Sequence, residues 1–155
     1  LNNALQSIDP SFKVVERGWG TRCAKMGGCI LSCNETFAKM TPGQIYDWRC
    51  EESLGMNVST VFLFLGTNDA KVRPFDMDGF KYEWLSLCKR FYNMASKPDV
   101  FVVIPPPLYM DGYVPGSRDL YNKQISQEIP KLAKECGAAD DQIIDLFNAM
   151  GGKDL

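Results

Sequence analysis

The chain contains no histidine in its 155 residues. This removes the side chain that most often acts as general base near neutral pH, and the commonest metal ligand. No apolar run approaches the ~20 residues of a membrane-crossing helix, so no membrane span is expected. The net charge is −2 and the sequence pI is about 5.2. With no basic surplus, no nucleic-acid partner is expected. No glycine-rich phosphate loop follows an apolar run, which argues against a doubly wound nucleotide-binding domain. No two cysteines stand at two-residue spacing, and without histidine a zinc site is not expected. Nothing else calls for a cofactor. The chain opens at Leu1 without an initiator Met or a signal-peptide pattern, so a preceding segment is expected to be missing.

What is present is ordinary for a soluble globular protein: 45% hydrophobic and 23% charged residues. The length suits one domain, 1–155, with neither repeats nor a linker. Six cysteines are unevenly spread: Cys23, Cys29, Cys33 and Cys50 crowd together, whereas Cys88 and Cys136 stand alone. They read either as buried free thiols or as one or two disulfides formed in an oxidising compartment. Two glycosylation-type triplets, Asn34-Glu35-Thr36 and Asn57-Val58-Ser59, lean toward the second reading and a secreted or organelle-lumenal location.

Four short runs predict strands: 12–16 (FKVVE), 60–65 (TVFLFL), 100–104 (VFVVI) and 142–146 (QIIDL). The middle two are continuously apolar rather than alternating, as in parallel strands covered on both faces. Longer helical patterns lie between them. Thr41-Pro42-Gly43-Gln44 has the form of a helix start, with Gly55 as the stop. Residues 78–95 carry Phe80, Trp84, Leu87, Cys88, Phe91 and Met94 on one face. Residues 120–136 repeat the pattern with Ile125, Ile129, Leu132, Ala133 and Cys136; Pro130 should kink or divide that helix, and Gly137 should end it. Strands alternating with helices imply an α/β domain with a parallel sheet, whose site lies at the carboxyl ends of the strands.

Gly66-Thr67-Asn68-Asp69 sits at such an end, where the run 60–65 stops. Gly66 allows a sharp turn. Asn68 either presents its amide to a substrate oxygen or, with Asp69, bonds its own backbone in a plain turn. Thr67 and Asp69 are expected to shape that turn.

These stretches carry a wider likeness. Gly66-Thr67-Asn68-Asp69-Ala70-Lys71 resembles the third block of the SGNH (GDSL-type) hydrolases, and Val14-Val15-Glu16-Arg17-Gly18-Trp19-Gly20-Thr21-Arg22 is similar to their second block. Val102-Val103-Ile104-Pro105-Pro106-Pro107-Leu108-Tyr109 looks like the fourth-strand exit, and 143–152 (IIDLFNAMGG) resembles the approach to the last block. The sialate and carbohydrate O-acetylesterase-like members are the nearest in pattern. The resemblance implies a three-layer α/β/α flavodoxin-like fold with a parallel sheet, and hydrolysis of an acetylated carbohydrate or small ester. It implies that Asn68 and the backbone N–H of Thr21, or of neighbouring Gly20, donate to the oxyanion. Prolines 105–107 would stiffen a wall beside the pocket or simply form a rigid strand exit.

Two blocks of that family are missing. No Gly-Asp-Ser precedes the first helical segment, and no Asp-x-x-His closes the chain. Ser32, Ser59 and Ser117 stand in no nucleophile-like context. The domain would be incomplete at both ends and its first strand absent, leaving the run 12–16 unpaired on one side. Three origins fit: the identified part of a longer enzyme, one piece of a nicked protein, or a degenerate relative acting as a structural subunit among other protein subunits. Trp19, Tyr109, Tyr113 and Tyr121 would serve the last as contact residues, or else be ordinary core and loop packing.

Overall fold

Valine and phenylalanine dominate two runs that extend readily, because β-branched and aromatic side chains fit a pleated, covered surface. A computed structural model describes residues 6–11, 13, 22–23, 31–32, 45–46 and 54–152. In it β1 (Arg22–Cys23), β2 (Leu31–Ser32) and β3 (Ile45–Tyr46) form a small parallel sheet in the order β1-β2-β3. A second parallel sheet carries the core. It comprises β4 (Thr60–Leu63), β5 (Asp99–Ile104) and β6 (Ile143–Asp145), in that order. Thr60 pairs with Asp99 and Leu63 with Val102; Val102 pairs with Ile143 and Ile104 with Asp145. The chain is therefore a mixed α/β fold with parallel strands, as its pattern implies. The expected strand 12–16 lies outside the described residues apart from Lys13, which is exposed and not in a strand.

Within the described sheet the central strand is β5, not β4. Val100 and Val102 are fully buried, and Ile104 is nearly so. β4 pairs with β5 on one side, and its side chains alternate: Leu63 points into the core, whereas Phe62 and Phe64 are 57% and 51% exposed. Phe62 stacks on Phe101 across the pair, with ring centroids 5.4 Å apart. The continuous apolar run at 60–65 thus marks a strand with one face on the core. Among the described residues nothing covers the second face of β4 that the run predicts to be covered.

Helix α1 (Met77–Tyr92) starts where Asp76 caps it, its carboxylate accepting the Gly79 N–H at 3.1 Å. Its face of Phe80, Trp84, Leu87 and Cys88 is buried as the spacing predicts, and Phe91 packs against the same core. The second helical region is one continuous run with an irregularity. α2 (Ser117–Leu120) passes through a π turn at Tyr121–Ile125 into α3 (Ser126–Cys136). Pro130 lies inside α3 and does not divide it. The departure from α geometry instead falls ahead of α3, where the Ser126 N–H reaches back to the Tyr121 carbonyl and its hydroxyl donates to the Asn122 carbonyl at 3.0 Å. Gly137 closes α3 in the left-handed conformation. Ile125, Ile129, Leu132 and Ala133 meet α1 and the sheet in one hydrophobic cluster. On the rim, Lys81 of α1 pairs with Glu128 of α3 at 3.0 Å. The Lys131 ammonium, and then that of Lys81, holds the Glu128 carboxyl below its usual range.

A short helix, α4 (Leu146–Ala149), follows β6 directly. The helix start expected at 41–44 lies outside the described residues, and Gly55 forms a turn after Leu54. Among the described residues no helix is long and apolar enough to cross a membrane.

Candidate functional site at the carboxyl ends of the strands

Parallel strands bring the loops after β4, β5 and β6 to one edge of the sheet. The first of these turns at once. Gly66 adopts φ of +136°, and a Cβ there would lie 2.8 Å from Ile129 Cδ1 and 3.4 Å from Ile125 Cγ2. Glycine is required both for the backbone conformation and for the close approach to α3. The chain then makes a 3-10 turn at Asp69–Lys71. The Ala70 N–H reaches the Gly66 carbonyl at 3.4 Å, and the Lys71 N–H reaches that of Asn68 at 3.0 Å. Asp69 and Ala70 are fully buried in this turn.

Asn68 occupies the position before the 3-10 turn, half-buried, and its side chain makes no capping bond to it. The Oδ1 atom instead accepts from Lys71 Nζ at 3.2 Å. That bond holds the amide oxygen toward the lysine. Lys71 Nζ also stands 5.7 Å from the centre of the Tyr113 ring. Arg73 adds a second link between the loops. Its Nη1 donates to the Ala70 and Val72 carbonyls, both at 2.7 Å, and its Nη2 to the Pro115 carbonyl at 3.1 Å. Asn68, Lys71 and Arg73 therefore place an amide and two cations on one loop, with the Arg73 guanidinium committed to backbone carbonyls.

The loop after β5 is held just as firmly. Pro105 and Pro107 are buried, and the Tyr121 hydroxyl donates to the Pro105 carbonyl at 2.6 Å. Asn122 clamps Leu108 from both ends: Oδ1 accepts the Leu108 N–H and Nδ2 donates to its carbonyl, each at 2.9 Å. Asp111 accepts the Gly116 and Arg118 N–H groups at 2.9 and 2.8 Å. Those two backbone donors hold its carboxyl below the usual range. At the third loop, Asp145 caps α4 through the Asn148 N–H at 2.9 Å.

Of the sequence-predicted site residues, Asn68 is placed at this edge, and Thr21 and Gly20 lie outside the described residues. Ser117 is buried with its hydroxyl donating to the Asp111 carbonyl at 2.7 Å, a structural role. Tyr109 and Tyr113 are exposed, whereas Tyr121 is fully buried, which is the core-packing alternative. Its hydroxyl finds a carbonyl inside, so the whole ring can sit in the core. Trp19 falls outside the described residues. Sequence reading missed Lys71, Arg73 and Asn122; polar residues following a glycine turn were the available signal. An open groove of about 470 Å³, lined in part by Ser86, Lys89, Arg90 and Asn93, lies at the other end of α1. Among the described residues no group of three or more acidic or cysteine side chains is arranged to hold a metal ion.

A search of protein-family models and of curated proteins finds no match to this chain.

Proposed function

We propose that the chain is part of an SGNH-type esterase that hydrolyses O-acetyl esters, with a carbohydrate as the alcohol portion. The observation that carries this reading is the Gly66-Thr67-Asn68-Asp69 turn at the carboxyl end of a parallel strand. Its Asn68 amide is oriented by Lys71 rather than spent on a cap. In the proposed three-layer, flavodoxin-like domain, β4, β5 and β6 are the third to fifth strands, and the first strand is not in this chain. The secreted or lumenal location belongs to the same proposal.

Ester hydrolysis of this type needs a serine nucleophile, a base to take its proton, and donors aimed at the oxygen that becomes negative. Attack of the serine oxygen on the acyl carbon moves the carbonyl electron pair onto that oxygen. Asn68 Nδ2 and the N–H of Thr21 or Gly20 donate to it. Collapse of the intermediate expels the sugar hydroxyl and leaves an acetyl-serine, which water then cleaves to acetate. In this reading the base comes from outside these 155 residues, which hold no histidine, and the serine from a Gly-Asp-Ser block that they lack.

That same lack motivates a second reading, a catalytically inactive domain of the same lineage serving as a structural subunit. Sequencing the intact transcript separates the two. The esterase reading expects Gly-Asp-Ser ahead of Leu1 and Asp-x-x-His beyond Leu155, with the intact protein cleaving p-nitrophenyl acetate. Absence of either block together with an inert protein overturns it in favour of the subunit.

A further inference from the structure

Cys88 and Cys136 are far apart in sequence and carry no spacing motif. The fold brings them together. Cys88 lies in the fourth turn of α1, fully buried in the face that meets α3. Cys136 is the last residue of α3 and is only partly covered. They approach each other to 2.5 Å, inside the van der Waals separation of two sulfurs. Both side chains belong to the contact between the two helices and the core. Sulfurs this close on two helices fixed by their own packing meet the proximity that most cysteine pairs lack.

We propose that Cys88 and Cys136 are a disulfide site, oxidised by exchange with a small-molecule disulfide such as glutathione disulfide. Cys136, the accessible thiol, attacks as thiolate. A sulfur–sulfur bond to one glutathione forms, and the other leaves as a thiolate. The buried Cys88 gives up its proton to solvent and displaces the second glutathione. The protein disulfide and two reduced glutathiones result, with two electrons passed to the oxidant. The adjacent Cys88 thiol holds the Cys136 thiol below its usual range, and the Lys89 ammonium acts in the same direction. This favours Cys136 as the attacking group. The link would tie α1 to the end of α3 and close a loop that contains β5, prolines 105–107 and the Asp111 turn. Those segments form one wall of the candidate site, so oxidation stiffens the scaffold beneath it. The inference does not depend on the esterase reading.

The decisive experiment equilibrates the folded protein with oxidised and reduced glutathione, blocks free thiols, and maps tryptic peptides without reduction. The expected product joins the peptide 82–89 to the peptide 135–153, which carry Cys88 and Cys136. Dithiothreitol should then lower Tm by roughly 10 °C, the scale expected for a cross-link closing a loop of about 50 residues. In the Cys88→Ala/Cys136→Ala variant that sensitivity should vanish. Recovery of both peptides singly blocked after oxidation overturns the proposal. So does either one joined to a peptide carrying Cys23, Cys29, Cys33 or Cys50. The peptide map needs no variant, so it decides the question even if the double substitution fails to fold.

Discussion

Gly66 and Ile129 meet with no room to spare: a Cβ on the glycine would come within 2.8 Å of the isoleucine Cδ1. The turn that ends β4 is thereby pressed onto α3, and the position of Asn68, two residues on, is set by that contact. Gly66→Ala should destabilise the fold by about 2–4 kcal/mol, combining overpacking with a positive φ that alanine disfavours. Urea denaturation measures the loss. Ile129→Val removes the clashing methyl, so in its background the cost of Gly66→Ala should shrink to the backbone strain alone. An equal cost in both backgrounds would mean that the contact is not the constraint.

The hydroxyl of Tyr121 is the buried partner of the Pro105 carbonyl at 2.6 Å. Tyr121→Phe keeps the ring and orphans that carbonyl. The expected cost is about 1–3 kcal/mol, seen as a lower denaturation midpoint with an unchanged slope. Burial, and then the charge of Asp145, pushes the Tyr121 phenol up. It should therefore stay un-ionised through alkaline titration wherever the protein stays folded, which ultraviolet difference spectra report.

Asp111 supplies a pH test. The Gly116 and Arg118 N–H groups hold its folded pKa below the unfolded value. For a carboxyl shifted down, the stabilising effect is fully present above the unfolded pKa, near 4, and fades as the pH falls through the folded pKa. Wild type and Asp111→Asn should differ in stability by a constant amount from pH 5 to 7, and the difference should fade as the pH falls through the folded pKa of Asp111. The Gly116 and Arg118 amides should exchange faster in the variant. A difference that persists unchanged into strong acid would remove the carboxylate from this role.

How much of this was legible in advance depends on whether the information is local. β5 and β6 follow from short Val- and Ile-rich runs. The buried face of α1 follows from Phe80, Trp84, Leu87 and Cys88 falling on one side of a 3.6-residue repeat. The edge position of β4 within the described sheet was not readable, because TVFLFL is equally apolar whether Phe62 and Phe64 meet protein or solvent. The π turn at Tyr121–Ile125 was missed because Pro130 is the conspicuous helix breaker, whereas the real irregularity uses residues of ordinary helix propensity. At the candidate site the glycine and Asn68 could be singled out by residue type. Lys71 and Arg73 could not, since their partners are a side chain and carbonyls fixed only once the loops fold. The meeting of Cys88 with Cys136 depends on how α1 and α3 pack together, which neither helix encodes alone.

In the esterase proposed above, Lys71 would act through Asn68, as a positioning residue. Lys71→Met keeps the stem and removes the donor to Asn68 Oδ1. In the intact esterase it should lower kcat several-fold and leave KM little changed, while Lys71→Arg, which restores a donor, should recover part of the loss. A change in KM alone would show that Lys71 touches substrate instead.

The most direct measurement compares kcat for p-nitrophenyl acetate in the intact protein with that of Asn68→Ala, after circular dichroism shows both folded. Loss of one donor to the oxyanion predicts a fall of about 10²–10³ in kcat with KM nearly constant. An active protein whose kcat is unchanged by Asn68→Ala would contradict the account at its centre.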